Sequence, residues 1–189
     1  MMIRGKKIVL REKRLGDAPL DYAWRGDPEL ARFDATFPIK MPFSDYVVAY
    51  AEELNLPIAT RLRFAIEDLE GKHIGNCMLY DMNERKGEAE MGIMIGDRSC
   101  WGKGYGTDVI TTLLDYIFKQ TTLKRIYLNT LDWNARAQHC FEKCGFRRRG
   151  RSFRDTHTFV VMEVYRDQYL EARQKEVQPE EEAEKAEKA

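Results

Sequence analysis

Apolar residues along this 189-residue chain follow two rhythms, one of period two and one near 3.6, and the switches between them predict the elements. Residues 8–11 read as a first strand. Asp17 ahead of Pro19, and Asp27 ahead of Pro28, each set a capping residue before a proline in a first helical turn, so two short helices follow. Pro38 and Pro42 hold residues 37–43 in a loop, after which Ser44 caps a helix with Val47, Val48, Ala51 and Leu54 on one face. Residues 61–66 alternate, 69–72 turn and 73–80 return, as a hairpin does. In residues 88–95, Ala89, Met91, Ile93 and Ile95 share one face, while Glu90, Gly92 and Met94 share the other. A glycine inside such a strand marks a bulge or a close backbone approach.

Further on, Val109, Ile110, Leu113, Leu114, Ile117 and Phe118 are spaced for the buried side of a helix, and residues 123–130 make the next strand. Asp132 or Asn134 starts another helix, which Gly145 ends at the C′ position. Residues 146–153 and 158–166 close the sheet as a final hairpin. From residue 171 the apolar content almost vanishes, leaving Glu181 with Lys185 and Glu184 with Lys188 as helix-supporting pairs. The expected layout is one α/β (α+β) domain over residues 1–170 and a charged, solvated or disordered tail over 171–189.

Charge narrows the partners. Lysine plus arginine equal aspartate plus glutamate at 31 each, so no global field draws the chain to nucleic acid or an anionic membrane. The three apolar residues after the basic start are too few for a signal-peptide core, and no apolar run is long enough to span a bilayer. The expectation is a cytoplasmic protein. Cys77, Cys100, Cys140 and Cys144 show no zinc spacing, so packed thiols and no metal are expected. Cys100 stands out for a reactivity test because it adjoins the glycine-rich stretch that follows it.

That stretch, Trp101-Gly102-Lys103-Gly104-Tyr105-Gly106-Thr107, lies between a strand and a helix. Alternate glycines bring backbone amides close to a ligand, and the helix start adds unpaired N–H groups and partial positive charge. The chemistry is that of an anion site, most naturally for a diphosphate. Neither the Walker A spacing nor the dinucleotide fingerprint fits. The stretch instead resembles the diphosphate loop of the GCN5-related N-acetyltransferases, usually written Gln/Arg-x-x-Gly-x-Gly/Ala, with Trp101 in place of the Gln/Arg. A second motif, Asn134-Ala135-Arg136-Ala137 followed by Phe141-Glu142-Lys143 and Cys144-Gly145-Phe146, resembles that family's next helix. The resemblance covers roughly residues 8–169 and leans toward the branch of ribosomal-protein N-terminal and spermidine acetyltransferases.

The resemblance implies a mixed, mostly antiparallel central sheet of six to seven strands with flanking helices, whose fourth and fifth strands (residues 88–95 and 123–130) splay into a slot for acetyl-CoA. It implies that amides of Gly102, Lys103, Gly104, Tyr105, Gly106 and Thr107, beside Trp101, hold the diphosphate, that the strand at Ile93, Met94 and Ile95 meets pantetheine, that Asn134 bonds its far end, and that Phe141 packs beside the sulfur. Phe141 stands where many relatives carry a proton-donating tyrosine, so solvent would reprotonate the thiolate. Glu90 is the candidate general base, ahead of Glu88 and Asp132. Arg147, Arg148, Arg149 and Arg151 form a basic strand, read as a solvated edge with the 3′-phosphate of CoA or an acidic partner as the alternative. His139 and His157 are read as structural or surface groups, with His157 able to face the acceptor. The function implied is acetyl transfer from acetyl-CoA to a protein N-terminus or polyamine-like amine, by a monomer or homodimer. The alternatives are an amino-sugar or amino-acid acetyltransferase and a non-catalytic acyl-CoA sensor.

Overall fold

The computed structural model describes residues 1–56 and 59–175. Eight strands among these form one sheet in the order β1-β2-β3-β4-β5-β6-β8-β7. They are β1 (Met2–Arg4), β2 (Ile8–Glu12), β3 (Leu62–Asp68), β4 (His73–Asn83), β5 (Glu88–Ile95), β6 (Arg125–Leu131), β7 (Arg147–Arg154) and β8 (His157–Tyr165). All neighbours run antiparallel except β5 and β6. The strand beyond the expected seven is β1, whose three residues are too few to show alternation.

Helices cover both faces. Strand positions Ile8, Leu10, Phe64, Ile66, Leu79, Ala89 and Met91 pack under α4 (Tyr105–Gln120), α5 (Ala135–Lys143) and the final helix α6 (residues 166–175). The stripe Val109, Ile110, Leu113, Leu114, Ile117 and Phe118 is buried throughout, and each such side chain contributes about 1.5–3 kcal/mol. On the opposite face α1 (Ala18–Gly26) meets α3 (Phe43–Asn55) through Ala18, Tyr46 and Tyr50, with α2 (Pro28–Phe33) between them in sequence.

Three local expectations need correction. Helix α3 starts at Phe43 with Pro42 in the cap position, so Ser44 lies inside the first turn and bonds Asp45 instead of a backbone amide. Asp17 stands at the α1 cap, but its carboxylate is taken by the Arg11 guanidinium, at 2.7 and 2.8 Å, and the Arg14 amide. Gly92 marks no bulge: it pairs in register with Met78, and a Cβ there would make only ordinary contacts at 3.5 Å. The close approach belongs to Gly75, where a Cβ would lie 2.2 Å from the Met94 carbonyl oxygen.

Helix α6 runs through residue 175, past the expected edge of the domain, and Arg173 pairs with Asp115 at 2.9 Å. The tail pairs Glu181 with Lys185 and Glu184 with Lys188 lie outside the described residues. No helix among the described residues is long and apolar enough to cross a membrane.

Candidate active site

The slot begins where β5 and β6 part. Their parallel ladder holds for three pairs, Glu88 with Arg125, Ala89 with Ile126 and Glu90 with Tyr127, and then stops. From Met91 to Ile95, β5 pairs only with β4, while β6 continues against β8 to Leu131. The Ile95 carbonyl turns away from β4 and accepts the Trp101 indole N–H at 2.8 Å. Backbone direction in an antiparallel pair repeats every second residue, so Ile93 also aims its N–H and C=O into the gap, whereas Met94 aims its own at β4.

Beyond Ile95 a short 3₁₀ turn (Arg98–Cys100) delivers the glycine-rich loop. Gly102 and Gly104 take φ of 72° and 83°, which residues with a Cβ adopt only at a cost of about 1–2 kcal/mol. Gly104 is the N-cap of α4, and the first bond closing the helix runs from the Asp108 amide to the Gly104 carbonyl. The amides of Tyr105, Gly106 and Thr107 therefore have no acceptor within the helix. Lys7 fixes the loop from outside: its Nζ donates to the Lys103 carbonyl at 2.9 Å, while the backbone amides of Lys6 and Lys7 donate to the Asp108 carboxylate. Lys7 thus brings an ammonium to this loop, and the sequence does not show it because the two partners lie 96 positions apart.

Loop, β5 and α5 enclose a cavity of roughly 400 Å³. Ile93, Met94, Ile95, Trp101, Gly102, Gly104, Gly106, Thr107, Asn134 and Phe141 all line it, so ten of the twelve cofactor residues expected from sequence meet there. Lys103 and Tyr105 do not: Lys103 is exposed on the outer side of the loop and Tyr105 packs against the core. Asn134 caps α5 by accepting from the Ala137 amide at 3.2 Å, which leaves its side-chain NH₂ free to donate. Phe141 is buried edge-on to Phe146.

One face of α5 adds Arg136, His139, Cys140 and Lys143 to the lining, at helical spacing i, i+3, i+4 and i+7. Arg136 stacks 3.8 Å above the Trp101 ring. His139 is an exposed surface group, as expected, that also borders the cavity, while His157 lines neither cavity and bonds the Asp155 carbonyl. The β7 arginines stay away as well, with Arg148 paired to Glu142 and Arg149 to Glu163. Cys100 and Cys140 both line the cavity; Cys100 is buried, whereas Cys140 is half-buried, 3.5 Å from Thr107 Oγ1. The Cys140 thiol is lowered, chiefly by its pairing with Cys144, against the cost of burial and with help from Thr107.

A second cavity, roughly 510 Å³, lies under α1, α2 and α3. Leu30, Asp34, Ile93 and Met94 line both, so the two chambers abut at the end of α2 and the open stretch of β5. In the second chamber Asp21 is saturated by Lys13, by the Tyr50 hydroxyl at 2.8 Å and by the Asn76 amide at 2.6 Å. Glu53 is paired with Arg63. Asp34 has no bonded partner among the described residues; the protein around it raises its pKa, and Arg25 offsets part of that.

Glu90 lines neither chamber. It is buried at the closed end of the slot, accepts from the Asn129 amide at 2.8 Å and stands directly across the ladder from Tyr80. Tyr80 does line the second chamber, and burial first, then Glu90, pushes its pKa up. Glu88 is committed to Arg125 at 2.7 Å.

A sheet that opens after three parallel pairs onto an amide-bearing loop defines an acyl-CoA-binding architecture. The family model described as the acetyltransferase (GNAT) domain matches residues 7–147, and the chain belongs to that family. Among individual proteins it is similar to a spermidine N(1)-acetyltransferase of Vibrio cholerae, 37% identical over 84 residues, covering 44% of this chain and 48% of the relative. That match therefore spans about half the relative's length. An uncharacterized N-acetyltransferase, p20, of Bacillus licheniformis is 28% identical over 127 residues, 64% of this chain and 68% of that one. A crystal structure of the Vibrio cholerae spermidine N-acetyltransferase with CoA and spermine aligns with a TM-score of 0.77 at 25% identity, over 86% of this chain and 98% of the other.

Proposed function

We propose that the protein transfers the acetyl group of acetyl-CoA to a primary amine. The observation carrying this reading is the abutment of the two chambers at Asp34, Ile93 and Met94. One chamber has the main-chain donors a diphosphate and a pantetheine arm need; the other has room for an acceptor. The loop amides hold the diphosphate, Arg136, His139 and Lys143 meet the remaining phosphate charge, and Ile93 and Asn134 bond the pantetheine amides. Charge-assisted bonds of about 1.5–3 kcal/mol each make micromolar binding attainable with a few of them.

In the transfer step the neutral amine attacks the thioester carbonyl, the C–S bond breaks, and the thiolate of CoA leaves. Phe141 has no proton to give, so the thiolate takes one from solvent. The amine must lose a proton first, which costs about 4–5 kcal/mol at pH 7 for a lysine-like amine and about 1 for the α-amine of a peptide N-terminus. Glu90 receives that proton through Tyr80, whose hydroxyl stands between the acceptor chamber and the buried carboxylate. The reading is supported by calorimetric acetyl-CoA binding together with free-thiol release on adding amines. Absence of acetyl-CoA binding sinks it, and binding without thiol release across peptides, polyamines, amino acids and aminoglycosides replaces it with an acyl-CoA sensor.

A further inference from the structure

The acceptor chamber carries a charge pattern that selects among amines. Six ionisable acid and base side chains line it, Lys13, Asp21, Arg25, Asp34, Glu53 and Arg63. Lys13 neutralises Asp21, and Arg63 neutralises Glu53. That leaves one carboxylate, Asp34, and one guanidinium, Arg25, without an ion-pair partner among the described residues. Arg25 acts electrostatically on Asp34 and on the Tyr46 hydroxyl without forming an ion pair with either. Asp34 touches the cofactor chamber; Arg25 lines the acceptor chamber alone. The wall around them is apolar, with Ile39, Met41 and Leu54, and Phe37 stands 87% exposed at its edge.

Resting on the acetyl-transfer reading, we infer that the acceptor is a free α-amino acid with an apolar side chain, its ammonium set against Asp34 beside the thioester and its carboxylate against Arg25. A zwitterion satisfies both unmatched charges at once. A polyamine does not: it finds a single free carboxylate for several ammonium groups and meets Arg25 as a like charge, which costs binding. A peptide N-terminus supplies the ammonium but leaves Arg25 unmatched unless its next groups are acidic. Bidentate pairing with a guanidinium favours a carboxylate over a neutral amide.

The test follows CoA thiol release with acetyl-CoA saturating and three acceptor sets: leucine, methionine and phenylalanine; their C-terminal amides; and spermidine. The expected result is a kcat/KM at least tenfold higher for the free acids than for the amides, with spermidine lower still. Arg25→Gln brings the acid-to-amide ratio down toward one, and Asp34→Asn lowers kcat/KM for acids and amides together, with acetyl-CoA affinity checked by calorimetry as the measure of an intact fold. Amides or spermidine matching the free acids overturn this inference and leave acetyl transfer standing. No thiol release with any amine overturns acetyl transfer and this inference together.

Discussion

The Trp101 indole donates to the Ile95 carbonyl at 2.8 Å, so the first residue of the glycine-rich loop is fastened to the last residue of the open strand. The bond takes up one main-chain carbonyl on the open side of β5 and in exchange ties the strand to the loop. Arg136, stacked on the same ring, ties α5 to the joint. Trp101→Phe keeps the stacking surface and removes only the donor. Its expected effect is a three- to tenfold weaker acetyl-CoA affinity, since a neutral hydrogen bond contributes about 0.5–1.5 kcal/mol. Calorimetry checks it, and unchanged affinity shows that the joint is held by packing alone.

Gly104 separates two contributions to the loop. With φ at 83° and Lys7 Nζ 3.6 Å from where a Cβ would lie, alanine brings backbone strain and little else. A modest loss of acetyl-CoA affinity is expected for Gly104→Ala. Gly104→Glu adds a negative charge where the diphosphate lies and should leave no measurable binding. Similar affinities for the two variants would place the diphosphate elsewhere.

Legibility from sequence followed how local each determinant is. The stripe of α4 and the alternation of β5 declare themselves because both are periodic over several turns or residue pairs. The loop declares itself because Gly102, Gly104 and Gly106 have few other reasons to alternate between a strand and a helix. What escaped notice is long-range. Lys7 reaches Lys103 across 96 positions, and Asn76 reaches Asp21 across 55, so no window of sequence contains either pair. Tyr80 and Glu90 meet across two strands, ten positions apart, which no single strand pattern contains. Arg136, His139, Cys140 and Lys143 share one helical face by their spacing, but the motif and the cysteine count group them otherwise. Ser44 failed for the opposite reason: a good capping residue lost its place to the preceding proline.

The Tyr80 and Glu90 pair makes a kinetic prediction. If the proton leaves the amine through the phenol to the carboxylate, Tyr80→Phe and Glu90→Gln each lower kcat by about a hundredfold, a typical loss for removing a proton-transfer group. The double variant is then no slower than either single one, because both break the same path. An acceptor of high pKa suffers more than a peptide N-terminus, whose deprotonation costs only about 1 kcal/mol at pH 7. Equal losses on both kinds of acceptor, or multiplicative losses in the double variant, leave Glu90 as a structural partner of Asn129.

The last prediction concerns Cys140. Its thiol is lowered below that of an ordinary cysteine because its pairing with Cys144, helped by the Thr107 hydroxyl, stabilises the thiolate more than burial opposes it. Thiolate is the reactive form, and its fraction rises with pH through the pKa. Alkylation of Cys140 by iodoacetamide should therefore reach half its maximal rate at a lower pH than the ~8.5 of an ordinary thiol. Acetyl-CoA should protect it, since the residue lines the cofactor chamber. Cys144→Ala removes the largest stabilising contact and shifts the profile toward higher pH. Mass spectrometry of the labelled chain checks all three effects. A midpoint above pH 8, or faster labelling at buried Cys100, would show that the Cys144 and Thr107 contacts do not hold the charge.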